Sequence, residues 1–207
     1  MMYEYADRII KHLNKRFLRF FSQLKTLKFD ELNVISKVNS LYSDCEEITY
    51  TSFCILAEKT YRSTLKEFDL KSDEDFPADM WVDGFLDGYN PVTKYVYLSE
   101  VPRKASRCYE AIISSKVDKN SSVSKEVDKA LRLWSNQVAE YADQIVLNVT
   151  RQAFMDAGVT HYIWITIPDE RRCEDCKDLH GKVFPIEELP PKPHIGCRCI
   201  IKPYENN

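Results

Sequence analysis

A chain of 207 residues with 44% hydrophobic and 29% charged side chains can bury a core of useful size and is too apolar to stay disordered. Its formal charge of −3 gives no global field that would gather nucleic acid. No apolar run approaches the length of a membrane span, and the start, Met1 to Arg8, has neither the basic head nor the apolar stretch of a secretory signal, so the expectation is a cytoplasmic protein with reduced thiols.

Residues 1–76 contain no Gly and no Pro, which favours long helices. Ile9, Leu13, Phe17, Phe20 and Leu24 recur every three or four positions and predict one helix with an apolar stripe. A second stripe runs through Leu32, Ile35, Val38, Tyr42, Cys45, Ile48, Ser52 and Ile55 to Leu65 and Phe68, with Asp30 as its cap. The two are expected to pack antiparallel, with Cys45 and Cys54 as core thiols. Residues 1–39 carry eight Lys/Arg against four Asp/Glu, whereas residues 40–100 carry five against thirteen.

At about 72–98 the pattern breaks into an acidic, aromatic connector: Asp73, Glu74 and Asp75, then Phe76, Trp81, Phe85, Tyr89, Tyr95 and Tyr97, punctuated by Gly84, Gly88 and Asn90-Pro91. It reads either as a docking surface or as a loop folded on the helices. A helix resumes over Glu100 to Ser115, with Arg103, Lys104 and Arg107 near its start. The turn at Asn120 to Ser122 then opens a long helix to about Ala157, followed by Gly158 as its stop. Its face is traced by Val127, Leu131, Trp134, Val138, Tyr141, Ile145, Asn148, Gln152 and Met155.

Beyond Gly158 the period becomes two. Tyr162, Trp164 and Thr166 alternate with Ile163, Ile165 and Ile167, the pattern of a strand. The fold class is therefore α+β, mainly α: a helical domain at 1–158 and a small β-containing module at 159–207. This module holds Cys173 and Cys176 as a C-x-x-C, and His194, Cys197 and Cys199 as an H-x-x-C-x-C. Thiolate and imidazole suit zinc, which takes four such ligands in a tetrahedron. Seventeen residues separate Cys176 from His194, room for a short strand at Lys182 to Phe184 and the turn Pro190 to Pro193. A strand from Cys197 to Ile201 would turn both thiols to one face. Five candidates, Cys173, Cys176, His194, Cys197 and Cys199, thus compete for four places, and the first choice is Cys173 and Cys176 with two of the other three. His180 is a weaker sixth, placed where it can hydrogen-bond locally instead. A hydrogen-bonded or disulfide-closed knot without metal is the alternative. The acids Asp169, Glu170, Glu174 and Asp175 read as a solvated turn.

The letters of this module carry a resemblance. Trp164, Thr166, Asp169, Glu170, Arg171, Cys173, Cys176, Leu179, His180, Gly181, Lys182, Val183 and Phe184, followed by Pro190, Pro191, His194, Cys197, Arg198 and Cys199, resemble the C-terminal signature of MuF-like minor head, or head morphogenesis, proteins of tailed bacteriophages. The segment from Asn90 to Arg107 is also similar to that family. The resemblance implies a structural, non-enzymatic protein of the virion head that acts at the portal vertex or capsid interior during head assembly or genome delivery. Its implied partners are the portal, the major capsid protein or both, with no membrane during assembly. Its implied locations are the host cytoplasm during assembly and then the virion head. Bottom-up, the C-terminal knot is a staple for a module too small to hold a core unaided. The competing reading is a protein that contacts genomic DNA, or cuts it, through the same metal knot.

Overall fold

The computed structural model describes residues 2–25, 31–90, 95–117, 123–167, 172–194 and 196–204. The Asp30 cap, the turn at Asn120 to Ser122, the side chains of Phe20 and Leu24, and Asp169 and Glu170 lie outside the described residues.

The Gly- and Pro-free start forms α1 (Met2–Lys25) and the 37-residue α2 (Glu31–Glu67). In α1 the buried positions are Leu13 and Phe17, as the stripe requires. In α2 the expected stripe is buried at Val38, Tyr42 and Cys45, but elsewhere the buried face departs from it. It runs through Val34, Val38, Leu41, Cys45, Thr49, Phe53, Leu56, Thr60 and Thr64, whereas Leu32 and Ile55 are 79% and 42% exposed. The reason is that threonine can enter a helical core when its hydroxyl bonds back one turn. Thr49 donates to the Cys45 carbonyl at 2.6 Å and Thr64 to that of Thr60 at 2.8 Å. The helix ends on Asp69, which adopts φ 52°, and the Leu70 N–H closes onto the Leu65 carbonyl at 2.9 Å.

The aromatic connector contains a further helix, α3 (Ala78–Asp87), which buries Val82 and Leu86 one turn apart. Two short strands, β1 (Tyr89–Asn90) and β2 (Tyr95–Val96), pair antiparallel before α4 (Tyr97–Val117), which starts ahead of the expected Glu100. α5 (Val123–Asp156) follows. Its stripe holds from Val127 to Ile145, but Met155 is 40% exposed and every residue from Glu140 to Leu147 is buried. Asn148 satisfies its amide on the Gln144 carbonyl. Gly158, at φ 76°, ends the helix, with the Val159 N–H on the Phe154 carbonyl.

The C-terminal sheet has β3 (His161–Ile165) at its centre. It is flanked antiparallel by β4 (Val183–Pro185) and β5 (Ile200–Pro203), with His161 opposite Pro185 and Tyr162 opposite Pro203. The alternation in β3 sends Tyr162 and Trp164 inward, both fully buried. β5 begins after Cys199, so the expected strand from Cys197 is shorter than its pattern suggested. A short helix, α6 (Glu174–Leu179), completes the order.

Two compact units emerge. One joins residues 8–52 and 86–138. Within it Trp134 makes edge-to-face contacts with Phe17 and Tyr42 at ring-centroid distances of 5.7 and 5.3 Å. Burial pushes the Cys45 thiol up to about 12, and Cys108 up to about 11. The other unit joins residues 1–7, 53–85 and 139–207 and contains the sheet and all five candidate ligands. Among the described residues no helix is long and apolar enough to cross a membrane.

Candidate metal centre

α6 is one and a half turns long, and its spacing brings Cys173 and Cys176 to the same side. Cys173 is the N-cap, its sulfur accepting the Cys176 N–H at 3.4 Å. After α6, Gly181 turns the chain at φ 77° and donates its N–H to the Trp164 carbonyl at 2.8 Å, which fixes the helix on β3. The chain returns through the proline-rich loop. Gly196, at φ 72°, makes the tight turn that delivers Cys197, whose N–H bonds to the His194 carbonyl.

The result is one cluster of donors. The ligand atoms of Cys173, Cys176 and His194 lie within 4.8 Å of one another, and so do those of Cys176, Cys197 and Cys199. Cys176 belongs to both groups. Its sulfur is 3.7 Å from that of Cys197 and 3.5 Å from Nε2 of His194. A tetrahedral zinc ion with Zn–S of about 2.3 Å and Zn–N of about 2.0 Å would hold sulfur from sulfur at about 3.8 Å, and sulfur from nitrogen at about 3.5 Å. The donor set and these two edges therefore fit such an ion, and the residues can hold a metal. No disulfide joins the cysteines, and 3.7 Å is far beyond a sulfur–sulfur bond.

The thiols sit in a small apolar core. Cys176, Cys197 and Cys199 are buried with Leu147, Phe154, Trp164, Ile186 and Ile201. Burial pushes the Cys176 thiol up to about 12, while the hydrogen bond from Cys197 pulls Cys199 below its ordinary value and raises Cys197 itself. His180 does not join the cluster. Its Nδ1 accepts the Thr166 N–H at 3.0 Å, so the exposed imidazole serves as a local side-chain acceptor for the backbone. Glu174 and Asp175 are exposed, and Glu174 pairs with Lys177.

Residues that sequence reasoning passed over hold this loop to α5. Lys192 is 1% exposed, donates to the Cys197 carbonyl at 3.0 Å, and faces Asp143 at 3.9 Å. Burial lowers its ammonium below the ordinary lysine value, against the pull of Asp143. The other oxygen of Asp143 accepts the Gly196 N–H at 2.9 Å. About two turns further on, Arg151 donates to the carbonyls of Ile186 and Glu187. The available signal was a carboxylate inside the apolar run A-D-Q-I-V-L, a position that demands a partner. Beside the cluster lies a pocket of about 280 Å³ to which Arg172 and Arg198 contribute.

Residues 111–202 match the family model described as phage Mu protein F like protein. The match spans both halves of the cysteine and histidine cluster, and over those residues it bears out the resemblance carried by the motif letters. Comparison with curated proteins and with solved structures returned no match.

Proposed function

We propose that this chain, whose residues 111–202 belong to the phage Mu protein F like family, is a non-enzymatic minor head protein that acts at the portal vertex or capsid interior during head assembly or genome delivery. The observation that carries this reading is the coincidence of the family match with a cluster of five Cys and His donors beside a small sheet. The motif letters build a rigid element, and no reacting group is required of them. In this reading zinc is held by Cys176 with three of Cys173, His194, Cys197 and Cys199, and it supplies folding energy to a module with little core of its own. Asp143 and Arg151 orient the ligand-bearing loop from α5, Asp143 by facing Lys192 and accepting from Gly196. The portal and the major capsid protein are the partners, met in the host cytoplasm, and the protein ends in the virion head.

The test is reconstitution. The purified zinc-loaded chain is mixed with portal protein and, separately, with capsid protein, and complexes are read by sedimentation. A complex with either partner is expected. Failure to bind both, together with heads that assemble and deliver DNA normally without the chain, overturns the reading.

A second reading, contact with genomic DNA, is favoured by Arg172 and Arg198 beside the cluster, since guanidinium groups suit phosphate. Retention on duplex DNA that falls steeply with salt would support it.

A further inference from the structure

Away from the metal cluster, in the same compact unit, an open pocket of about 580 Å³ lies where the connector meets the end of α5. Its walls combine two chemistries. Phe76 stacks on Tyr61 at 4.4 Å with rings nearly parallel, and Trp81 stacks on Phe85 at 5.4 Å, so two half-buried rings are held rigidly at the pocket. Glu74, Asp75 and Asp156 line it as well. Asp156 is fixed in place, because Tyr61 donates to one oxygen at 2.8 Å and Gln152 to the other at 2.7 Å. Met80 and Met155, 70% and 40% exposed, add apolar surface at the same pocket.

Among the described residues no Lys or Arg lines this pocket, and none is paired with its three carboxylates. Aromatic faces attract cations through their quadrupoles, and carboxylates add charge and hydrogen-bond acceptors for a guanidinium or ammonium. Exposed apolar surface rimmed by polar groups marks an interaction site. The charge of residues 40–100, five Lys/Arg against thirteen Asp/Glu, points the same way. We infer that this pocket docks a basic segment of a partner protein by taking up an arginine or lysine side chain between Trp81, Phe76 and the carboxylates of Glu74, Asp75 and Asp156.

The test uses the whole metal-loaded chain and a capped Ala-Arg-Ala-Arg-Ala peptide at low ionic strength. Trp134 and Trp164 are 2% and 0% exposed, so a change in tryptophan emission on titration reports Trp81. A saturable change is expected. Because both carboxylates are exposed, the variant Glu74→Gln/Asp75→Asn keeps the fold, and its affinity should fall about tenfold. A peptide with citrulline in place of arginine should bind at least as weakly. The inference is overturned by any of four results: no saturable binding, equal binding by the double variant, equal binding by the citrulline peptide, or tighter binding of tetramethylammonium than of the arginine peptide. A self-association of the chain that the same double variant abolishes also overturns it, because the occupant is then a second copy that presents its own basic α1. Portal or capsid binding is measured separately, so the two proposals fail independently.

Discussion

Asp143 of α5 and Lys192 of the proline-rich loop face one another at 3.9 Å with the ammonium almost wholly buried. Two oppositely charged groups so placed are weak evidence for net stability, yet removing one strands the other. Asp143→Ala leaves a buried ammonium and an unaccepted Gly196 N–H, and is expected to destabilise by about 3–5 kcal/mol. Lys192→Met leaves a carboxylate that still accepts from Gly196 and has some access to solvent, so its cost is expected to be less than half of that. Urea unfolding of the metal-loaded proteins measures both, and equal losses would refute the asymmetry.

Metal content gives the second expectation. Purified under reducing conditions, the chain should carry about one zinc ion. Cys176→Ser, which removes the donor shared by both groups, should abolish uptake. Single variants Cys173→Ser, His194→Ala, Cys197→Ser and Cys199→Ser should each weaken it except the one that replaces the residue left outside the ligand set. A Cys176→Ser protein that keeps full zinc content and unchanged thermal stability would sink the staple role.

The raised Cys176 thiol sets a pH dependence. Held up to about 12 by burial, it is protonated at neutral pH, so a metal ion must displace that proton. Affinity should therefore rise about tenfold per pH unit for each proton released, and buffer acidification should accompany binding. Competition with a chromophoric chelator between about pH 6 and pH 8 reads the slope. A flat profile would mean that thiolates are not the ligands.

Alkali tests the other unit. Cys45 and Cys108 have folded-state values of about 12 and about 11, against an ordinary thiol near 9. For a thiol raised by folding, the unfolded chain ionises first, so its contribution is fully present below about pH 9 and is lost as pH rises towards the folded value. Each should remove about 1.4 kcal/mol per pH unit in that window. Cys45→Ala should flatten the decline in guanidine midpoints between about pH 9 and pH 11, and an unchanged slope would count against the cause given.

Tyr61 ties α2 to the end of α5 through Asp156 and to the connector through Ser72, at 2.8 and 3.1 Å. Tyr61→Phe keeps the stack on Phe76 and should cost about 1–2 kcal/mol. A smaller effect, measured by thermal unfolding, would mean that water replaces the lost donor.

Much of this was legible in the letters. The stripe through Leu13 and Phe17, the stop at Gly158 and the strand through Tyr162 and Trp164 follow from periodicities of 3.6 and 2 and from a left-handed residue. The five donors were legible because thiols at such spacing have few other uses. The face of α2 is legible only in part, through Val38, Tyr42 and Cys45, because Thr49 and Thr64 count as polar until their hydroxyls find a carbonyl one turn back. α3 was missed because Gly84 reads as a breaker, yet it sits on an open face with nothing within 4 Å of an added Cβ. The grip of Asp143 and Arg151 on the ligand loop joins residues far apart in the chain, and no local period encodes such a pairing.

The sheet that carries Trp164 has two edges, β4 and β5, and both end in proline: Pro185 opposite His161 and Pro203 opposite Tyr162. A proline offers no N–H to an incoming strand. With edges of three and four residues, each strand is too short and too poor in donors to template further chains. A three-stranded sheet with both flanks available would otherwise invite edge-to-edge aggregation. Placing the two prolines at its rims keeps the module from polymerising through its own backbone.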